Sequence, residues 1–314
     1  MLGDCNPDVL VLGRDVTPAF GQQEKLADSI SLVPGGSAAI TAVAAARLGL
    51  RVALAAAAGD DPAGEFMLGQ LAREGVDTSA VAVRAAAPTG MTVALSRGDD
   101  RAILTATGAM TTLAAADVPP RLVSAARHLH VSSYFLMERS LGPGLADLLA
   151  AARANGAATS LDTNWDPSGR WGGEHLGAVL EQTDLLLPNQ AEALHLAGEP
   201  TLDKAAAALA GEHRRLVVKL GARGALCVSG PARHQVGPPP AVTPVDTTGA
   251  GDCFNAGLIA GLLGGLGLAE AAALGCAVGS ASTLGPGGTA SAPGLQAAMA
   301  MARAVQIQEL RPAN

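Results

Sequence analysis

Asp246-Thr247-Thr248-Gly249-Ala250-Gly251-Asp252-Cys253-Phe254-Asn255 is the stretch on which the fold of this chain turns. An extended approach enters a turn of small residues and passes directly into a long apolar helix. Glycines at 249 and 251 let the backbone come close to a ligand, and the unpaired N–H groups of the helix start point outward with the positive end of its dipole. The spacing predicts an anion at this turn. Asp252 falls beside that anion, where a carboxylate can accept a proton from an attacking hydroxyl while the amides stabilise charge on the group in flight. A glycine-rich loop with an ordinary acidic residue in the first helical turn is the other account of the same letters.

Extended to Leu258, the string Asp-Thr-Thr-Gly-Ala-Gly-Asp-Cys-Phe-Asn-Ala-Gly-Leu resembles the C-terminal signature of the ribokinase-like (PfkB) carbohydrate kinases. The resemblance implies an α/β, ribokinase-like fold: a mostly parallel central sheet with helices on both faces and a small β-sheet lid. It implies one kinase domain over 1–314, with a discontinuous lid near 14–33 and 88–107. The activity it implies is ATP-dependent phosphorylation of a small carbohydrate of the pentose or hexose class. Asp252 is then the catalytic base, and the backbone of Gly249, Ala250 and Gly251 the anion hole.

Composition sets the surrounding limits. With 314 residues, 49% of them hydrophobic, the chain can bury a sizeable core. A formal charge of -7 argues against nucleic acid as partner, since a binder needs a basic face. The lysines are Lys25, Lys204 and Lys219, none of them after a glycine, so no Gly-x-x-x-x-Gly-Lys phosphate loop exists. Cys5, Cys227, Cys253 and Cys276 form no C-x-x-C pair, which fits reduced thiols in a cytoplasmic protein. His128 and His130 would share one face of a strand, as buried or edge histidines with satisfied nitrogens. The N-terminus lacks a basic segment before an apolar run, so no signal peptide is expected. Residues 271–302 carry no charge, yet Gly275, Gly279, Gly285, Pro286, Gly287, Gly288 and Pro293 break them up. A buried helix pair is expected there, and no membrane span.

Along the chain, Asn6-Pro7-Asp8 precedes the apolar run Val9–Leu12. Asn and Asp offer donors and acceptors for a polyol, though the same triplet suits a turn. Family members contact the sugar with an N-x-D here, which Asn6 and Asp8 match. Gly35-Gly36-Ser37 opens a helix to Leu48 and is similar to the family's N-terminal signature, with Ile40 where a substrate-binding Asn is expected and Ser37 where ribokinase has Lys. Asn6, Asp8, Gly35, Gly36, Ser37 and Ile40, with Asp252 and with Tyr134 at a strand end, form the implied sugar side. Val81–Val83, Met91–Ser96 and Ala102–Thr105 read as short strands, the last two joined by the turn Arg97-Gly98-Asp99-Asp100, and with 14–33 they are expected to form the lid. The lid implies a homodimer.

From His128 the strand and helix signals alternate, which predicts a parallel sheet with ligands at the carboxyl ends of its strands. Asp162-Thr163-Asn164-Trp165-Asp166 occupies one such end. Family members often carry D-P-N-x-R there, and Asp166 in place of the Arg argues against a sugar acid as substrate. Asn189 and Glu192 lie three apart in a first helical turn and make either a capping box or a ligand pair. The family's P-N-x-x-E motif implies ATP near Asn189 and Mg²⁺ near Glu192 through water. By the same resemblance Lys219, Gly221, Gly224, Gly251 and Cys276 lie on the ATP side. Asp246, Thr248, Ser282, Gly285, Gly287 and Ser291 are its candidates for K⁺. A nucleoside kinase, a sugar-phosphate kinase and a catalytically idle ligand-sensing paralogue stay open as alternatives.

Overall fold

The computed structural model describes residues 1–97, 100–238 and 242–310. Residues 1–3 run through the middle of the main sheet, where Leu2 bridges Ala55 on one side and Val131 on the other, both in parallel. At Asp4 the chain leaves that sheet. β1 (Asn6–Leu12) and β2 (Ser29–Gly35) form an antiparallel hairpin, and α1 (Ser37–Arg47) follows at once. β3 (Ala53–Gly59), α2 (Pro62–Arg73) and β4 (Asp77–Arg84) return the chain to the main sheet as a parallel βαβ unit. β5 (Met91–Arg97) and β6 (Asp100–Ala106) form a second hairpin.

After α3 (Pro120–Ala125), the chain alternates through β7 (His128–Ser132), α4 (Tyr134–Ala154, kinked at Pro143 and Gly144), β8 (Ala158–Asp162) and α5 (Leu176–Glu181). β9 (Leu185–Leu186), α6 (Gln190–Ala197), α7 (Leu202–Leu209) and β10 (Arg215–Lys219) continue that rhythm, with parallel pairing from β7 to β10. β11 (Ala225–Ser229) and β12 (Ala232–Val236) then turn antiparallel. Three helices, α8 (Ala250–Leu263), α9 (Leu268–Ser282) and α10 (Leu295–Ala302), precede the edge strand β13 (Ile307–Leu310).

The strand order is β13-β12-β11-β10-β9-β8-β7, and residues 1–3 join β7 to the pair β3-β4. A separate four-stranded sheet has the order β2-β1-β5-β6. One sequence expectation changes here. Val81–Val83 belongs to β4 and pairs with β3, because the α2 crossover returns it parallel to its neighbour. The apolar run Val9–Leu12 lies in the separate sheet, since residues 1–3 already fill the slot between β3 and β7. Asn6 and Asp8 are thus strand residues and make no turn. Of the predicted turn at 97–100, Gly98 and Asp99 lie outside the described residues.

Strand alternation feeds a core on each face of the main sheet. Leu216 and Val218 pack with α4 to α7, and Val217 packs on the other side with α8 and α9. α8 and α9 are apolar nearly all round and are buried accordingly. Glycine sets their separation: a Cβ at Gly257 would stand 2.9 Å from the Gly275 Cα. Among the described residues, no helix is long and apolar enough to cross a membrane. Both His128 and His130 bond the Ser160 hydroxyl at 2.7 Å, and burial lowers His128 to about 3, so it stays neutral. All four cysteines are buried free thiols.

Because α8 and α9 touch backbone to backbone, Gly257→Ala should cost about 1–3 kcal/mol by overpacking. The check is a lower urea midpoint at an unchanged m value.

Candidate active site

The turn before α8 has the form its letters predict. Gly249 is left-handed at φ 70°, and a Cβ there would come 2.6 Å from the Gly288 Cα and 3.0 Å from the Ile40 Cγ2. Only glycine meets both conditions. No side chain caps α8 at Gly249, which leaves its first turn open to an anion, although the Ala250 N–H makes a long bond back to Thr247 O at 3.3 Å. Asp252 lies in the first turn and is 8% exposed. Burial pushes its carboxyl well above the usual range, Asp162 adds to the rise, and Lys219 opposes it. The Ser37 hydroxyl at the start of α1 faces the same carboxylate and also accepts from Asn164 Nδ2 at 3.0 Å.

Two further sequence segments meet here. Gly36, at φ 82°, ends β2 and gives α1 no side-chain cap; Asp4 supplies it from across the fold, accepting from Ser37 N at 3.0 Å and Ala38 N at 2.9 Å. On β1, Asn6 Nδ2 donates to Asp8 Oδ1 and to Thr92 Oγ1, each at 3.1 Å. The Asp8 carboxyl lies over Gly35, where a Cβ would fall 2.1 Å from Asp8 Cγ. Gly35 therefore leaves room for the buried Asp8 carboxyl, and Gly36 for the Asp4 backbone and the Asn6 side chain.

Past the carboxyl ends of β8 and β10 lies a charged cluster. Asp162, 1% exposed, accepts from Lys219 Nζ and from Asn255 Nδ2, the latter at 2.6 Å. The Asn189–Glu192 pair does form a capping box, Asn189 N to Glu192 Oε2 at 2.7 Å and Glu192 N to Asn189 Oδ1 at 2.9 Å. The structural alternative and the ligand reading thus share one geometry. Burial, then Asp162, raise the Glu192 carboxyl to about 7, with Lys219 opposing. A buried acid held in that state suits a hydrated divalent cation.

Residues 6–295 match the family model described as pfkB family carbohydrate kinase. The chain belongs to the PfkB family. It is 31% identical over 267 residues to a ribokinase of Haemophilus influenzae, covering 82% of this chain and 84% of the relative. An Escherichia coli protein named as a ribokinase II, solved with ATP and Mg²⁺, is 25% identical with a TM-score of 0.83, covering 96% of this chain and 97% of its own. A Vibrio cholerae fructokinase with fructose, ADP and calcium bound is 26% identical with a TM-score of 0.78, covering 96% and 97%. The chain is a PfkB carbohydrate kinase of ribokinase-like fold, an ATP-dependent sugar kinase that transfers a phosphoryl group to an alcohol.

Not every expected residue of this PfkB kinase stands at the cluster. Tyr134 is fully buried in the core beside Phe135, with ring centroids 5.5 Å apart. Cys276 lies inside α9 in the core that also holds Val217 and Phe254. Ile40, 3% exposed, is spent on packing against Gly249 and Gly288. Gly221 and Gly224 shape the turn between β10 and β11, both left-handed, at φ 60° and 85°. The Asp246 carboxylate accepts from Thr248 N at 2.9 Å, Thr248 Oγ1 at 2.8 Å and Gly287 N at 2.8 Å, which draws the 285–291 loop onto it. Ser291 lies against Gly285, and Ser282 bonds back to Gly279 O at 2.8 Å. Among the described residues, no group of three His, Cys, Asp or Glu side chains is arranged to hold a metal ion.

Asp166 corrects the argument against sugar acids. It is 3% exposed and its carboxylate accepts from Ser168 N, Ser168 Oγ and Trp171 N at 2.7–2.9 Å. That charge closes its own loop. Asp4, Asp162, Asn164 and Asn255 were missed as site residues, since their partners lie 31 or more positions away.

The raised Glu192 carboxyl fixes a sign. Between its ordinary 4.5 and about 7 the folded protein binds more protons than the unfolded chain, so stability falls as pH rises through that window. Denaturant midpoints measured across it should decline less steeply in Glu192→Gln than in the parent.

Proposed function

We propose that this kinase phosphorylates a hydroxyl of a free pentose or hexose, as one domain with β2-β1-β5-β6 for its lid. The observation that carries the roles is the buried Asp252 carboxyl beside uncapped helix amides, its affinity for protons raised by burial and Asp162. A base must hold a proton well enough to take it from an alcohol, and burial supplies that. The sugar oxygen attacks the terminal phosphorus of ATP in line while its proton passes to Asp252. The bond from phosphorus to the bridging oxygen breaks and ADP leaves, with the Gly249, Ala250 and Gly251 amides taking up charge on the group in flight.

Asn6 and Asp8 hold sugar hydroxyls, with Gly35, Gly36 and Ser37 forming the floor beneath them. Asn189 and Lys219 belong to the nucleotide side. Glu192 would hold Mg²⁺ through water, and that ion supplies neutralisation of the triphosphate charge. Asp246, Thr248 and the Gly285–Ser291 loop would hold K⁺, whose oxygen ligands would stiffen the anion-hole turn. Asp252→Asn is expected to lower kcat about 10²–10⁴-fold with the fold unchanged by circular dichroism. ADP release against pentoses, hexoses, sugar acids, polyols and nucleosides, with and without K⁺, checks it. A nucleoside as the best acceptor would replace the sugar reading, and ATP binding without turnover on any acceptor would point to the ligand-sensing paralogue.

The lid also has an outer face. Register puts Val9 beside Leu32, Val11 beside Ile30 and Val93 beside Leu104, all on the side opposite Asn6 and Asp8. Ile30 is 68% and Leu104 66% exposed. Such a patch is what a second copy of the chain would cover, in the cytoplasm, where ATP is made and buried thiols stay reduced. Ile30→Lys with Leu104→Lys should shift sedimentation from dimer to monomer; an unshifted dimer would remove the lid from the interface.

A further inference from the structure

Lys219 has more to do than touch a nucleotide. Its side chain is 12% exposed and its ammonium is paired with Asp162, which is 1% exposed. A Cβ built at Gly251 would stand 3.5 Å from the Lys219 Nζ, so the ammonium lies directly against the glycine turn before α8. The Lys219 backbone is fixed too, with its N–H bonded to Pro188 O at 2.9 Å, one residue before Asn189. The same Asp162 oxygen, Oδ2, also accepts from Asn255, one helical turn beyond Asp252 on α8. One ion pair therefore ties β8 and β10 to the first two turns of α8.

Stability alone is a weak reason for such a pair. Desolvating two ions costs several kcal/mol each, and apolar replacements of similar volume are often neutral or stabilising. Location gives a better reason. Asp4, Asp162, Glu192 and Asp252 are all buried here, and Lys219 is the basic group among these five ionisable side chains. An arriving phosphoryl group would bring further negative charge to a negative pocket. Helix amides are partial charges only; a whole ammonium beneath them is a larger source of positive potential.

We propose that Lys219 is a positioning residue for phosphoryl transfer: held by Asp162 against the underside of Gly251, its fixed charge sets the potential at the anion-hole amides and balances the Asp252 carboxylate. This rests on the sugar-kinase reading of the site. The ammonium stays with Asp162 throughout, so it acts on the transition state through the turn and contributes little to ground-state binding. Asn255 Oδ1, buried without a partner, lies at the same junction and marks it as a polar seam that packing alone does not require.

The test uses the full chain and the acceptor found by the panel. Lys219→Met should lower kcat about a hundredfold, in the range lost with one oxyanion donor, with KM for ATP and acceptor within about threefold. Lys219→Arg should recover much of the loss. Met alone strands the Asp162 charge, so Asp162→Asn with Lys219→Met is the second variant: it removes both charges and keeps a polar partner for Asn255. A slow but folded double variant supports the proposal; one that regains wild-type kcat shows that Lys219 merely neutralised Asp162 and overturns it. A Lys219→Met kcat within threefold of the parent overturns it also. Calorimetry with ADP and aluminium fluoride, a planar mimic of the group in flight, needs no sugar. Lys219→Met should bind ADP like the parent and lose about a hundredfold with the fluoride complex; equal affinity for that complex would sink the inference. Wild-type silence across every acceptor would defeat the sugar reading while the fluoride arm still decides Lys219.

Discussion

Four buried carboxylates gather around the N-termini of α1, α6 and α8 and the end of β8, and burying like charges costs several kcal/mol per ion unless donors answer them. The fold answers them one at a time. Asp4 takes two amides of α1, Asp162 takes Lys219 and Asn255, and Glu192 takes the Asn189 amide. Asp252 receives the least, facing the Ser37 hydroxyl while burial and Asp162 raise its affinity for a proton. The acid left with the least compensation is the one beside the free helix amides. Its reactivity follows from how the other three are satisfied, so the site is built by the distribution of donors as much as by any one side chain.

Local grammar carried much of this into the sequence. The turn from Asp246 to Asn255 declares itself because glycine geometry and a helix start are short-range events, and the Asn189–Glu192 box is likewise written within four residues. The alternation after His128 predicts a parallel sheet for the same reason. Pairings across the sheet leave no such trace. Lys219 meets Asp162 at a separation of 57 residues and Asp4 caps a helix 33 residues on, which no spacing rule anticipates. Hydrophobic periodicity reports burial without naming the neighbour, so Val81–Val83 is expected in the lid and lies in the main sheet. Tyr134 and Cys276 sit at the expected chain positions, yet their side chains point into the two cores.

The two glycine-dependent contacts of α8 serve different ends. At Gly257 the missing side chain lets α9 approach, which fixes the helix in place. At Gly249 it lets Ile40 and Gly288 close on the turn, which fixes the direction of the amides. A helix held from behind and braced at its tip presents its N–H groups without reorganisation, the condition under which fixed dipoles stabilise charge best.

Cys5 is the whole connection between the Asp4 anchor and the first residue of β1. Cys5 itself is 1% exposed, and Gly36 alone separates β2 from α1, so two strands of the four-stranded sheet join the body through single residues. Helix α1 also carries Ile40 to its contact with Gly249, so the strands that bear Asn6 and Asp8 are joined through one helix to the turn before α8.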